Sequence, residues 1–158
     1  MDYIYLDDAA TTRVDERVKE AMDDYYDKKY GNPSSLHKMG MEAKKAMEEA
    51  RNKTASLIGA DRDEIVFTSG GTEADNLAIK GAVEKSQGGH IITTEIEHSA
   101  VYKTCKYLEE KGFEVTYLSV DDNGLIDIEE FQNSIREDTI IASVMYANNE
   151  IGTIEPIQ

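Results

Sequence analysis

The sequence has a single cysteine, Cys105, in 158 residues, so no internal disulfide can brace the fold. It has no apolar run approaching the roughly 20 residues needed to cross a bilayer. The start, Met1-Asp2-Tyr3-Ile4-Tyr5, is acidic and lacks a cationic lead into an apolar stretch, so no signal peptide is expected and a cytoplasmic protein is the simplest reading. Positive charge is scarce. Lys and Arg total 17 against 32 Asp and Glu, a formal charge of −15, which argues against a general nucleic-acid or anionic-membrane binder because both need a basic face. No internal repeat, low-complexity tract or evident linker interrupts the chain. What is present, 40% hydrophobic and 31% charged residues, is the composition of an ordinary globular protein of a length suited to one domain.

The stretch around which the rest is arranged is Phe67-Thr68-Ser69-Gly70-Gly71-Thr72-Glu73-Ala74-Asp75-Asn76, which joins the apolar run Ile65-Val66-Phe67 to a helical pattern. Two glycines let the backbone approach a ligand, and the first helical turn leaves amide N–H groups unpaired at the positive end of the helix dipole. That combination cradles anions, and Thr72 adds a hydroxyl. The absence of a Gly-Lys-Ser/Thr ending argues against a Walker-type nucleotide loop. Taken alone, the same residues also fit an ordinary strand-to-helix turn capped by Ser69 or Thr72.

Before this stretch, Tyr3-Ile4-Tyr5-Leu6 is short and extended, and Asp7 to Thr12 reads as a loop. Val14, Val18, Ala21, Met22 and Tyr25 fall at helical spacing, with Thr12 a candidate cap and Gly31-Asn32-Pro33 a stop. A second helix follows His37, with Ala43, Ala46, Met47, Ala50, Thr54 and Leu57 on one face, and ends at Gly59. Strands are expected at Glu64 to Phe67, His90 to Thr94, Glu114 to Leu118 and Thr139 to Tyr146. Helices are expected at Thr72 to about Lys85, Ser99 to Lys111, and around Ile128, Phe131 and Ile135. Apolar strands alternating with helices imply an α/β fold whose mostly parallel sheet is covered on both faces. Ligands of such sheets sit beyond the carboxyl ends of the strands, where Ser69 to Thr72, Glu95 to His98 and Ala147 to Glu150 all fall.

Individually these positions are ambiguous. His98 can stack on an aromatic ligand and move protons near neutral pH, or be a surface histidine beside Glu97. Asn149 offers an amide donor and acceptor, but asparagine pairs before glycine also make turns. Asn32 and His37 sit in a loop where turn formation is the default role, and His90 has no assignable one. Cys105 lies on an apolar helix face with Val101 and Leu108, as a buried structural thiol would.

Five ordered motifs change the balance. Tyr5-Leu6-Asp7-Asp8-Ala9-Ala10-Thr11-Thr12, Tyr30-Gly31-Asn32-Pro33-Ser34-Ser35-Leu36-His37, the Phe67 to Asn76 stretch, Glu97-His98 and Asn148-Asn149-Glu150-Ile151-Gly152 follow one another along the chain. In order and spacing they closely resemble the N-terminal part of the NifS/IscS-like cysteine desulfurases, members of the class V aminotransferase group of fold-type I pyridoxal-phosphate enzymes. Asp8 departs from the asparagine found in many members. The resemblance implies a three-layer, mostly parallel sheet, the aspartate aminotransferase-like large domain, incomplete here. Residues 61–158 would form its first part, preceded by an N-terminal extended segment and two helices at 1–60.

It also implies roles. Gly71 and Thr72 match positions that hold the phosphate of pyridoxal 5′-phosphate. His98 matches the histidine stacked on the pyridine ring and proposed as an acid/base group, and Asn149 the asparagine bonded to the ring's phenolic oxygen. The family converts L-cysteine to L-alanine and an enzyme persulfide, passed to an iron–sulfur scaffold or another sulfur carrier, and works as a homodimer. The family segments with the pyridine-binding Asp-x-x-Gln, the Schiff-base lysine and the nucleophilic cysteine have no counterpart among the 158 residues, and Cys105 does not match the nucleophile. The chain alone is therefore expected to be inactive and to hold the cofactor non-covalently at best. A selenocysteine lyase or other class V enzyme, a split half completed by a second polypeptide, and a noncatalytic scaffold are the alternatives.

Overall fold

The computed structural model describes residues 3–157, as two compact units, one closing at Phe67 and the other opening at Thr68. In the first unit, α1 (Glu16–Asp27) is capped by Asp15, whose carboxylate accepts the Arg17 amide at 2.9 Å. Thr12, the expected cap, lies three residues outside. The carboxylate wins because it also takes the Arg17 guanidinium in a two-pronged ion pair and sits at the positive helix end. The helix α2 (Lys38–Ile58) begins at His37, whose Nδ1 accepts the Gly40 amide at 3.4 Å, and ends at Gly59 with φ 68°, a left-handed conformation open to glycine. Asn32 takes the turn-forming role expected of it, its side-chain oxygen accepting the Ser34 amide at 2.9 Å.

The strand expected at Glu64 to Phe67 is not formed. A 3₁₀ turn occupies Arg62–Glu64, and Ile65 to Phe67 run extended with no ladder partner among the described residues. Val66 and Phe67 are 65% and 48% exposed, and the Ile65 carbonyl is taken by the Arg51 guanidinium rather than by a neighbouring strand. An apolar run encodes a strand only where another strand lies beside it.

The second unit carries the sheet. Strand β1 (His90–Thr94) lies between β2 (Glu114–Leu118) and β3 (Thr139–Ala142), parallel to both, in the order β2-β1-β3. The apolar run expected to form strand through Tyr146 leaves the ladder after Ala142, with one further bond from the Ser143 amide to the Ile92 carbonyl. Helices α3 (Gly71–Val83) and α4 (Ser99–Glu109) cover one face, where Ile79, Val83, Val101, Cys105 and Leu108 pack around Ile91. The short α5 (Ile128–Ser134) covers the other, where Phe131 joins Ile92, Leu118 and Ile126. Neighbouring Ile91 and Ile92 thus feed opposite cores, as the strand's two-residue period requires, and β1 is buried along its whole length. The three layers of the expected fold are present in this unit, on three strands.

Candidate cofactor site

The rim at the carboxyl ends of the strands is assembled by topology. Residues 84–89 alone connect α3 to the start of β1, and a 13-residue helix of about 20 Å reaches back along a five-residue strand. Its first turn, Gly71 and Thr72, is thereby carried to the rim where β1 ends.

In the glycine turn the capping by Ser69 or Thr72 that its sequence allowed is not seen. Gly70 is the N-cap residue and makes no side-chain cap. The carboxylate of Glu73 turns back instead, accepting both the Ser69 amide and the Ser69 hydroxyl at 2.7 Å, and these bonds hold its carboxyl below the usual range. The loop is fixed from outside. The amides of Gly71, Thr72 and Glu73 meet no acceptor among the described residues, and they are exposed. A Cβ placed on Gly70 or Gly71 would enter open space, so the approach to these amides is clear. Unpaired donors at the positive end of a three-turn helix form a cradle for an anion.

His98 is the N-cap of α4. Its Nδ1 accepts the Ala100 amide at 3.1 Å, which puts the proton of the neutral ring on Nε2. The ring stands exposed at the rim, with Nε2 available to a ligand. Asn149 is also exposed, at the tip of a hairpin closed by an antiparallel bridge between Ala147 and Ile154, and among the described residues its side-chain amide donates only to Glu150, at 3.3 Å. Gly124, with φ 82°, brings the preceding turn so close to Ile151 and Thr153 that a side chain there would collide with them, so the hairpin is seated on that turn. The structure therefore brings the glycine turn, His98 and Asn149 to one rim of one sheet.

Two residues that the sequence placed inside motifs without a role of their own connect the last two of these. Glu97 is half-buried, and its Oε1 accepts the Met145 amide at 2.7 Å and the Thr94 hydroxyl at 3.4 Å. Burial, aided by the charges of Asp75 and Glu155, pushes its carboxyl above the usual range despite those bonds. Asn148, 7% exposed, donates to the Ile96 carbonyl at 2.9 Å while its oxygen accepts the amides of Glu150 and Ile151 at 2.8 and 3.1 Å. Their place in the motifs Glu97-His98 and Asn148-Asn149 was the signal the sequence held. Cys105 takes no part: it is fully buried in the core, and burial raises its thiol to about 11, so it is protonated at neutral pH.

The residues fit a phosphorylated aromatic ligand. Free amides and a hydroxyl suit a phosphate, a flat imidazole suits a ring, and a carboxamide suits a ring substituent that can accept or donate.

Residues 4–158 match the family model described as aminotransferase class-V. The cysteine desulfurase IscS of Dictyoglomus turgidum is 54% identical over 157 residues, covering 98% of this chain and 40% of the relative. A solved structure titled NifS-like protein superposes with a TM-score of 0.93 at 50% identity, over 97% of this chain and 43% of that one. Another, titled SspA in complex with cysteine, gives 0.92 at 42% identity over 97% and 45%. The chain spans about two-fifths of the length of the curated relatives it matches. With the family model covering nearly every residue and the parallel sheet reproduced in solved relatives, the chain belongs to the class-V aminotransferase family.

Proposed function

We propose that this rim binds pyridoxal 5′-phosphate and that the chain is the N-terminal share of a cysteine desulfurase, an enzyme converting L-cysteine to L-alanine and an enzyme persulfide. The observation that carries the reading is the convergence of the unpaired amides of α3, the capping His98 and the exposed Asn149 at the carboxyl rim of one sheet. The names of the similar proteins support the choice of reaction. Gly71 and Thr72 would hold the phosphate through their amides and the Thr72 hydroxyl. His98 would lie against the ring with its proton on Nε2, and Asn149 would bond the phenolic oxygen. When bound, the cofactor supplies the electron sink, and these side chains supply position and charge. A second copy of the chain and a sulfur-accepting protein are the proposed partners.

Titration of the 158-residue chain with pyridoxal 5′-phosphate tests the site. Binding should saturate, be displaced by inorganic phosphate, and leave no borohydride-reducible adduct at one defined lysine. Thr72→Ala should weaken inorganic phosphate several-fold, as expected for one lost hydrogen bond to a charged group. Binding that ignores both phosphate and Thr72 would refute the cradle.

A further inference from the structure

The two loops that bear His98 and Asn149 are held by a pair of hydrogen bonds running in opposite senses. The Glu97 carboxylate of the first loop accepts the backbone amide of Met145, which leads into the second, at 2.7 Å. The Asn148 amide of the second donates to the backbone carbonyl of Ile96 in the first, at 2.9 Å. Each loop thus contributes one side chain and receives one on its backbone, across 48 and 52 residues of sequence. Each bond is made by the residue immediately before the one that faces the rim. The Asn148 donor is nine-tenths buried, and Glu97 is half-buried, so water competes weakly for either. Asn148 also closes its own turn through Glu150 and Ile151, which makes the Asn149 tip a rigid extension of the contact.

We propose that Glu97 and Asn148 are positioning residues, a reciprocal clamp that sets the imidazole of His98 and the carboxamide of Asn149 at the spacing of one aromatic ring. The ligand part of this rests on the reading of the rim given above; the clamp itself is a property of the chain. Its chemistry separates the variants. Glu97→Gln keeps an oxygen able to accept from Met145, whereas Glu97→Ala does not. Asn148→Asp keeps the acceptor for Glu150 and Ile151 and so its own turn, but loses the donor to Ile96.

The experiment uses the isotope-labelled 158-residue chain. In Glu97→Ala, exchange of the Met145 amide should rise about tenfold, the worth of one buried hydrogen bond, and both the His98 ring nitrogens and the Asn149 side-chain amide should shift. Glu97→Gln should restore all three. Asn148→Asp should move the His98 signals, 50 residues away in sequence, while the Glu150 and Ile151 amides stay protected. Signals of His98 and Asn149 that stay put in both variants overturn the clamp. Should Glu97→Ala lose the dispersed spectrum of the core, Asn148→Asp decides alone.

Two probes then separate positioning from folding. Glu97→Ala and Asn148→Asp should weaken pyridoxal 5′-phosphate about tenfold and leave inorganic phosphate unchanged. Equal loss for both probes overturns the positioning role. A wild-type chain that binds inorganic phosphate but not pyridoxal 5′-phosphate overturns the ring-binding reading alone, and the spectra still decide the clamp.

Discussion

His98 carries two duties at once, and they can be separated. Its Nδ1 caps α4, while the exposed Nε2 edge is what a ligand would meet. His98→Asn supplies an equally good cap without a ring, so thermal stability should stay within about 0.5 kcal/mol of wild type while pyridoxal 5′-phosphate binding falls. A loss of both together would mean that the cap, not the ring, matters. His90 is the opposite case, a histidine with no ligand role. It is 1% exposed at the start of β1, and its two ring nitrogens meet Thr139 on β3 and Thr116 on β2, both at 2.8 Å. Burial first, and then the Arg136 charge, hold its imidazole below the ordinary value of 6.5. The unfolded chain therefore takes up a proton more readily than the folded one, and this group's stabilisation, full above that ordinary value, is lost as the pH falls toward the folded one. Denaturant midpoints measured from pH 7.5 to 5 should drop more steeply in wild type than in His90→Gln. The strand-end positions of Gly71, Thr72, His98 and Asn149 were legible because each follows a recognisable strand-end or turn signal, whereas the roles proposed for them came from the family resemblance alone. Glu97, Asn148 and the threonines around His90 were not, because each acts across more than 20 residues of sequence, and spacing says nothing about that.

At the level of elements, helices were legible through apolar spacing and α2 also through its stop at Gly59, although α1 ends at Asp27, short of the Gly31-Asn32-Pro33 stop expected for it; β1 and β2 were legible through their apolar runs and bounding turns. Caps were less so. Asp15 replaces the expected Thr12 because a carboxylate can serve an amide and a guanidinium together. At α5 the Asp127 carboxylate accepts from Glu129 at 2.8 Å and Glu130 at 3.4 Å. Asp127→Ala should cost about 1 kcal/mol, read as a lowered denaturant midpoint with an unchanged slope. The missing strand at Glu64 to Phe67 has a different cause. Its composition suits a strand, but pairing is a property of neighbours, and here the Ile65 carbonyl finds a guanidinium instead. The strand order β2-β1-β3 was likewise beyond the sequence, since a parallel pattern does not say which strand is central.

For the whole molecule, the formal charge of −15 predicts that screening will help the fold. Raising monovalent salt from about 10 to 150 mM shortens the Debye length from roughly 30 to 8 Å and should raise the melting temperature, where a neutral protein would scarcely respond. No helix among the described residues is long and apolar enough to cross a membrane. The chain spans 40% of the length of the Dictyoglomus relative. Incubated with pyridoxal 5′-phosphate and L-cysteine, the purified chain should release neither alanine nor sulfide, and sustained turnover would overturn that expectation.

The one thiol of the chain is sealed between α4 and the sheet. It is therefore a ready-made gauge of opening: an alkylating reagent reaches Cys105 only when that layer lifts away. The rate of its capture under native conditions, followed by mass shift, would report how often the sheet is bared and whether pyridoxal 5′-phosphate slows the breathing.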